Sequence, residues 1–97
     1  MRIISKRIIN IFIDEHPDAK ESLNDWYQKT SNRLWTNFID IKHTFNSVDY
    51  VKNDLYVFNI NGNKYRLVAR IFFKHPKVYI RFIGTHAEYD KLDLNIL

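Results

Sequence analysis

The stretch from Leu55 to Asp90 constrains this chain more than any other, because it reads as two β-hairpins in succession followed by a short polar helical turn. The first hairpin turns at Asn61-Gly62, a pair that tolerates the positive φ angles of a type I′ turn and is the strongest short-range hairpin signal. The second turns over Lys74-His75-Pro76-Lys77, where proline fixes φ and removes a ladder donor. Between the turns, Lys64 to Phe73 reads as the longest strand.

Alternation sorts that strand onto two faces. Tyr65, Leu67, Ala69, Ile71 and Phe73 fall on one side; Lys64, Arg66, Val68, Arg70 and Phe72 fall on the other. In the next strand, Val78, Ile80 and Phe82 are expected on the apolar side, with Lys77, Tyr79, Arg81 and Ile83 opposite. A turn over Lys74–Lys77 would set Phe73 against Val78, Ile71 against Ile80, Ala69 against Phe82 and Arg70 against Arg81. Like charges directly opposed in a sheet are destabilising, so such a pair calls for an anion or a carboxylate nearby. The second face is thus basic and aromatic, with Leu55, Val57 and Phe72 implying that something covers part of it.

Upstream, the periodicity of Ile8, Ile9, Phe12 and Ile13 predicts an amphipathic helix beginning after Ser5, a cap candidate, and ending before Pro17. Asp18 followed by Glu21 has the spacing of a capping box. It would open a second helix, from about Ala19 to Arg33, that buries Leu23, Trp26, Tyr27 and Thr30. Trp35, Phe38 and Ile39 suit a short third helix, Ser47–Lys52 a short strand, and Met1–Ile4 an edge strand. The order is helices, then an antiparallel meander, then a helical turn: an α+β fold with N-terminal helices on a three- to four-stranded antiparallel sheet. Ninety-seven residues, with no linker or repeat, make residues 1–97 a single domain.

The absence of cysteine excludes disulfides and thiolate metal sites. His16, His43, His75 and His86 lack ligand spacing, so no metal or other cofactor is expected. Two glycines rule out a Gly-rich phosphate loop, and no serine sits in an elbow context. The N-terminus carries no signal-peptide pattern and no stretch would span a membrane, so a cytoplasmic location is expected. A formal charge of +4 is compatible with a polyanionic partner.

Two groups of residues carry candidate chemistry. Arg66, Arg70 and Arg81 present planar, permanently charged forks suited to phosphate. They equally suit a solvated strand face, and Lys74 and Lys77 suit solubilising charges beside the turn. In Thr85-His86-Ala87-Glu88-Tyr89-Asp90, a helical turn would make His86 and Tyr89 i,i+3 neighbours. Histidine exchanges protons near neutral pH, although an exposed histidine beside a packed tyrosine fits the same letters.

The run YVFNINGNKYRLVARIFFKHPKVYIRFIGTHAEYDKLD resembles the C-terminal half of HigB-type toxins of the HigB/RelE superfamily. The resemblance lies in the VFN-x-x-GN-x-x-R hairpin, the FF-x-x-x-x-x-YIR strand pair and the closing THAEYD. It is dense over residues 48–93 and looser over 1–47. It implies a RelE-like fold and a type II toxin that cleaves mRNA in the ribosomal A site without a metal, through the ribose 2′-hydroxyl. A HigA-like antitoxin, with a helix-turn-helix domain, would neutralise it. Carried over by position, Arg66 and Arg81 would stabilise the scissile phosphate, while His86, Tyr89 and Asp90 would orient groups or exchange protons. Arg70, Lys74, Lys77 and Tyr79 would add to RNA binding. The chain departs from the RelE-type pattern in having histidine in the tail and no lysine cluster on an identifiable helix, which leaves the acid and base unassigned. Two alternatives stay open: a non-catalytic RNA- or ribosome-binding module, and a toxin of this fold that inhibits DNA gyrase.

Overall fold

Both hairpins form, as the centre of a five-stranded sheet of order β1-β5-β4-β3-β2. The structure, a computed structural model, describes residues 1–97. The strands are β1 (Arg2–Ile4), β2 (Asp49–Lys52), β3 (Leu55–Ile60), β4 (Tyr65–Phe72) and β5 (Lys77–Thr85). The helices are α1 (Lys6–Glu15), α2 (Lys20–Ser31), α3 (Phe38–Thr44) and α4 (His86–Asp90), with 3₁₀ turns at Pro17–Ala19 and Leu94–Ile96. The sheet therefore has five strands where three or four were expected, and it is mixed rather than antiparallel throughout. β1 runs parallel to β5, setting Ile3 beside Val78. This end is anchored by the Met1 amino group, which donates to the carbonyls of Thr30 in the last turn of α2 and of Arg33 just beyond it. No helix is long and apolar enough to cross a membrane.

Positive φ at Asn61 (54°) and Gly62 (66°) confirms the first turn, and Asn53 and Asp54 (49° and 62°) make a second turn of the same kind between β2 and β3. Two helix starts differ from expectation. Ser5 sits at the α1 cap position, but its φ is 78° and its side chain makes no cap bond. Asp18 does not form a capping box with Glu21, because it lies in the 3₁₀ turn and reaches β4 instead. There it accepts from the Tyr65 phenol at 2.6 Å and pairs with Lys64. A long-range partner has won over a local one.

α1, α2 and α3 cover one sheet face. Ile9, Phe12, Leu23, Trp26 and Ile41 bury against Phe58, Leu67, Ala69, Ile71, Val78 and Ile80. Phe58 takes Trp26 edge-on at 5.4 Å and Trp35 stacked at 6.5 Å, so large rings fill a core that a short chain has few residues to build.

The β4–β5 register differs from the expected one in two ways. The loop is Phe73–Pro76, one residue earlier, so Ile71 faces Val78, Ala69 faces Ile80 and Arg70 faces Tyr79. Arg70 and Arg81 are therefore not opposed. Then a bulge intervenes: Ile80 pairs with Ala69 and Phe82 with Val68, leaving Arg81 as the extra residue. One added residue inverts the alternation beyond it. Ile83, expected on the basic face, joins the main core, whereas Phe82, expected in the core, turns to the other side.

On that second face Leu55, Val57 and Val68 are buried beneath Phe82, Tyr89, Leu92, Leu94 and Leu97. The C-terminal segment is thus the cover that Leu55 and Val57 implied. Phe82 also lies over Gly84, where an added Cβ would come within 2.4 Å of the ring.

Candidate active site

The end of β5 and the start of α4 are joined by a capping box. Thr85 Oγ1 accepts from the Glu88 amide at 3.1 Å, and the Glu88 carboxylate accepts from the Thr85 amide at 2.8 Å. The Thr85-x-x-Glu88 spacing spells this pattern. Those bonds hold the Glu88 carboxyl below its usual range, the backbone amide being the larger cause. They also fix the short helix that carries His86, Tyr89 and Asp90.

On α4 the partner of His86 is Asp90, not Tyr89. Nδ1 lies 3.0 Å from a carboxylate oxygen, both side chains being about half exposed. A carboxylate on Nδ1 orients the ring and leaves Nε2 as the nitrogen free to exchange a proton. Tyr89 turns inward onto the second apolar cluster. Its phenol is pushed above the usual value by burial; the nearby Arg66 charge opposes the rise, and Asp49 and Asp90 add to it. Neutral at physiological pH, it can donate a hydrogen bond.

The register places Arg66 opposite Gly84 on β5 and opposite Asn59 on β3. Its Nη1 donates to the carbonyls of Asn63 (3.1 Å) and Tyr65 (3.2 Å), which pins the guanidinium at the α4 end of the sheet. Arg66, His86, Tyr89 and Asp90 are thereby gathered into one region. Arg81 stands further along the same face, exposed at the bulge. Arg70 is half-buried between Leu55 and Tyr79, and its buried Nε has no partner. Tyr79 meets Phe72 edge-on at 5.9 Å.

Lys74 and Lys77 lie at the far end of the hairpin. From Arg66 to Phe72 the strand spans about 20 Å, so these lysines belong to an outlying basic patch. It is joined there by Arg2, which pairs in register with Lys77.

Sequence reasoning missed one residue that shares a cleft with His86. Lys64, Tyr65, Thr85 and His86 border an open cleft whose other wall is Glu15, His16, Pro17 and Asp18. The hydrogen bond from the His86 amide to the Lys64 carbonyl (3.2 Å) seats α4 against this end of the sheet. His16 and His86 stand far apart in the chain, and no spacing rule joins them.

Helices packed on one face of a five-stranded mixed sheet, with Arg66 and a histidine–carboxylate pair at one end of it, define an α+β architecture. The family of RelE-like toxic components of toxin–antitoxin systems, HigB_toxin, matches residues 19–92, and the chain belongs to it. It is 33% identical over 92 residues, covering 93% of this chain and 88% of the relative, to "mRNA interferase toxin HigB" of Escherichia coli strain K12. It is 30% identical over 94 residues, covering 95% of this chain and 91% of the relative, to "mRNA interferase HigB" of Escherichia coli O6:H1.

Proposed function

We propose that this chain is a toxin that stops translation by cutting mRNA on the ribosome, using organic acid–base groups rather than a metal ion. Membership of the toxin family and the names of its relatives support the substrate class. The observation that carries the chemistry is the His86–Asp90 pair beside Arg66 and Tyr89.

Cleavage through the ribose 2′-hydroxyl needs a base for its proton, an acid for the leaving 5′-oxygen, and cations for the charge that builds on phosphate. His86, oriented by Asp90, exchanges a proton through Nε2. Arg66 is held by two carbonyls with its remaining donors available to a phosphate oxygen. The Tyr89 hydroxyl, kept neutral, donates to a neighbouring oxygen. Arg81, projecting from the bulge, and the half-buried Arg70 hold the backbone along the face. Tyr79 with Phe72 offers aromatic surface to a base, and Lys74 and Lys77 strengthen attraction at the far end. Binding in the ribosomal A site and neutralisation by a HigA-like, helix-turn-helix antitoxin complete the reading.

Brief induction in bacteria of wild type beside His86→Ala, with mRNA 5′ ends mapped across the genome, tests it. New ends inside translated codons from the wild type alone support the nuclease and the place of His86 in it. Growth arrest with intact messages overturns it; DNA damage signalling would then point to gyrase. Ribosome binding without cleavage would leave only a binding module.

A further inference from the structure

The open groove at the end of the sheet has a volume of about 640 Å³. His86 stands on one wall and His16 on the other. His16 is half-buried, its ring stacked on Phe12 with centroids 4.4 Å apart and tilted against Tyr65 at 5.3 Å. Imidazole nitrogens lie in the ring plane, so packing against a face fixes the ring and leaves them free to hydrogen-bond. His86 is the histidine whose ring is bonded to a protein group, through Asp90.

The charged groups around His16 are Glu15 and Asp18 from its own segment, Lys64 and the Tyr65 phenol from β4, and His86 and Glu88 from α4. Asp18 is committed to Lys64 and Tyr65, and the Glu88 carboxylate to the Thr85 amide. Glu15 is the cleft carboxylate without a side-chain partner, and the two imidazoles are the groups there that can act as either proton donor or acceptor.

We propose that His16 is the second proton-transfer residue, acting across this cleft from His86 on an RNA backbone laid between them; this rests on the nuclease reading above. One imidazole takes the 2′-hydroxyl proton as the O2′–P bond forms. The other, as imidazolium, gives a proton to O5′ as the P–O5′ bond breaks. The products are a 2′,3′-cyclic phosphate and a 5′-hydroxyl, and water resets the two protonation states.

The test is single-turnover cleavage of a ribosome-bound message by the purified chain from about pH 5 to 8, comparing wild type, His16→Gln and His16→Phe. Phenylalanine keeps the stacking on Phe12 and Tyr65, so a fold defect in the glutamine variant cannot masquerade as the result. The expected outcome is a bell-shaped profile for wild type. Both variants should cut at least about 100-fold more slowly, lose one limb of the bell and bind ribosomes within about threefold of wild type. A His16→Phe variant that cuts at near wild-type rate, or keeps both limbs, overturns the proposal. A wild type that leaves the message intact overturns the nuclease reading and this inference with it.

Discussion

His86 and Asp90 sit one turn apart on α4, with Nδ1 of the imidazole 3.0 Å from a carboxylate oxygen of Asp90. If the pair works as a unit, His86→Ala lowers the single-turnover cleavage rate by about 10²–10⁴-fold, the usual worth of a positioned acid or base. Asp90→Asn should cost less, since the ring remains and loses its ionic partner. Equal losses, or a larger one for Asp90→Asn, would contradict the assignment.

Tyr89 separates packing from chemistry. Tyr89→Phe keeps the ring over Leu55, Val57 and Val68 and should change stability by no more than about 1 kcal/mol. Its cleavage rate should nonetheless fall about tenfold, a loss of roughly 1.4 kcal/mol of transition-state stabilisation. Tyr89→Ala should also unfold at lower denaturant. A Phe variant with full activity would leave Tyr89 a packing residue.

Arg81 is the residue that the bulge adds, and it is exposed. Replacing it by Ala should leave folding stability within about 0.5 kcal/mol while weakening cleavage and flattening the salt dependence of RNA binding. Lys should recover the charge but not the two-pronged contact, giving an intermediate rate. Lys74→Ala, in the turn beyond Lys77 and so more than about 13 Å further along the hairpin by strand rise, should change binding much less than Arg81→Ala.

Gly84 has no room for a side chain, because a Cβ would lie 2.4 Å from the Phe82 ring. Gly84→Ala should therefore destabilise by about 1–3 kcal/mol, the range for forced repacking, in urea titration. Combining it with Phe82→Leu, which removes the obstructing ring, should make the two changes less than additive. Strict additivity would show that Phe82 is not the cause.

Asp18 ties the turn before α2 to β4, and hydrogen bonds from Lys64 and then Tyr65 hold its carboxyl below the usual range. A group whose folded pKa is depressed contributes stability above its unfolded pKa, and that contribution is lost as pH falls through the folded value. Asp18→Asn should therefore reduce stability at neutral pH and flatten the acid side of the stability profile. The effect should be small, because both Asp18 and Lys64 are substantially exposed. Thermal melts across the acid range would show it; an unchanged acid limb would deny the pair any role.

Local chemistry written in adjacent letters was legible in the sequence. Asn61-Gly62 specified its turn and the alternation of Tyr65 to Ile71 specified the core face of β4, whereas the capping box of Thr85 with Glu88 was read only from the structure. The arginines and the closing THAEYD pointed to the same end of the chain as the family did. What sequence could not decide were choices settled by distant groups. Asp18 had a local partner available and took Lys64 and Tyr65 instead, since their side chains lie close in the folded chain. The bulge at Arg81 is an extra residue that period-two counting cannot see, yet it exchanged Phe82 and Ile83 between the faces. That His16 and His86 line one cleft depends on β1 adding parallel beside β5 and α1 packing across that strand. Sequence determined the elements and their chemistry; tertiary packing decided which of those chemistries share a cleft, because proximity across 70 residues is a property of the sheet order and not of any spacing.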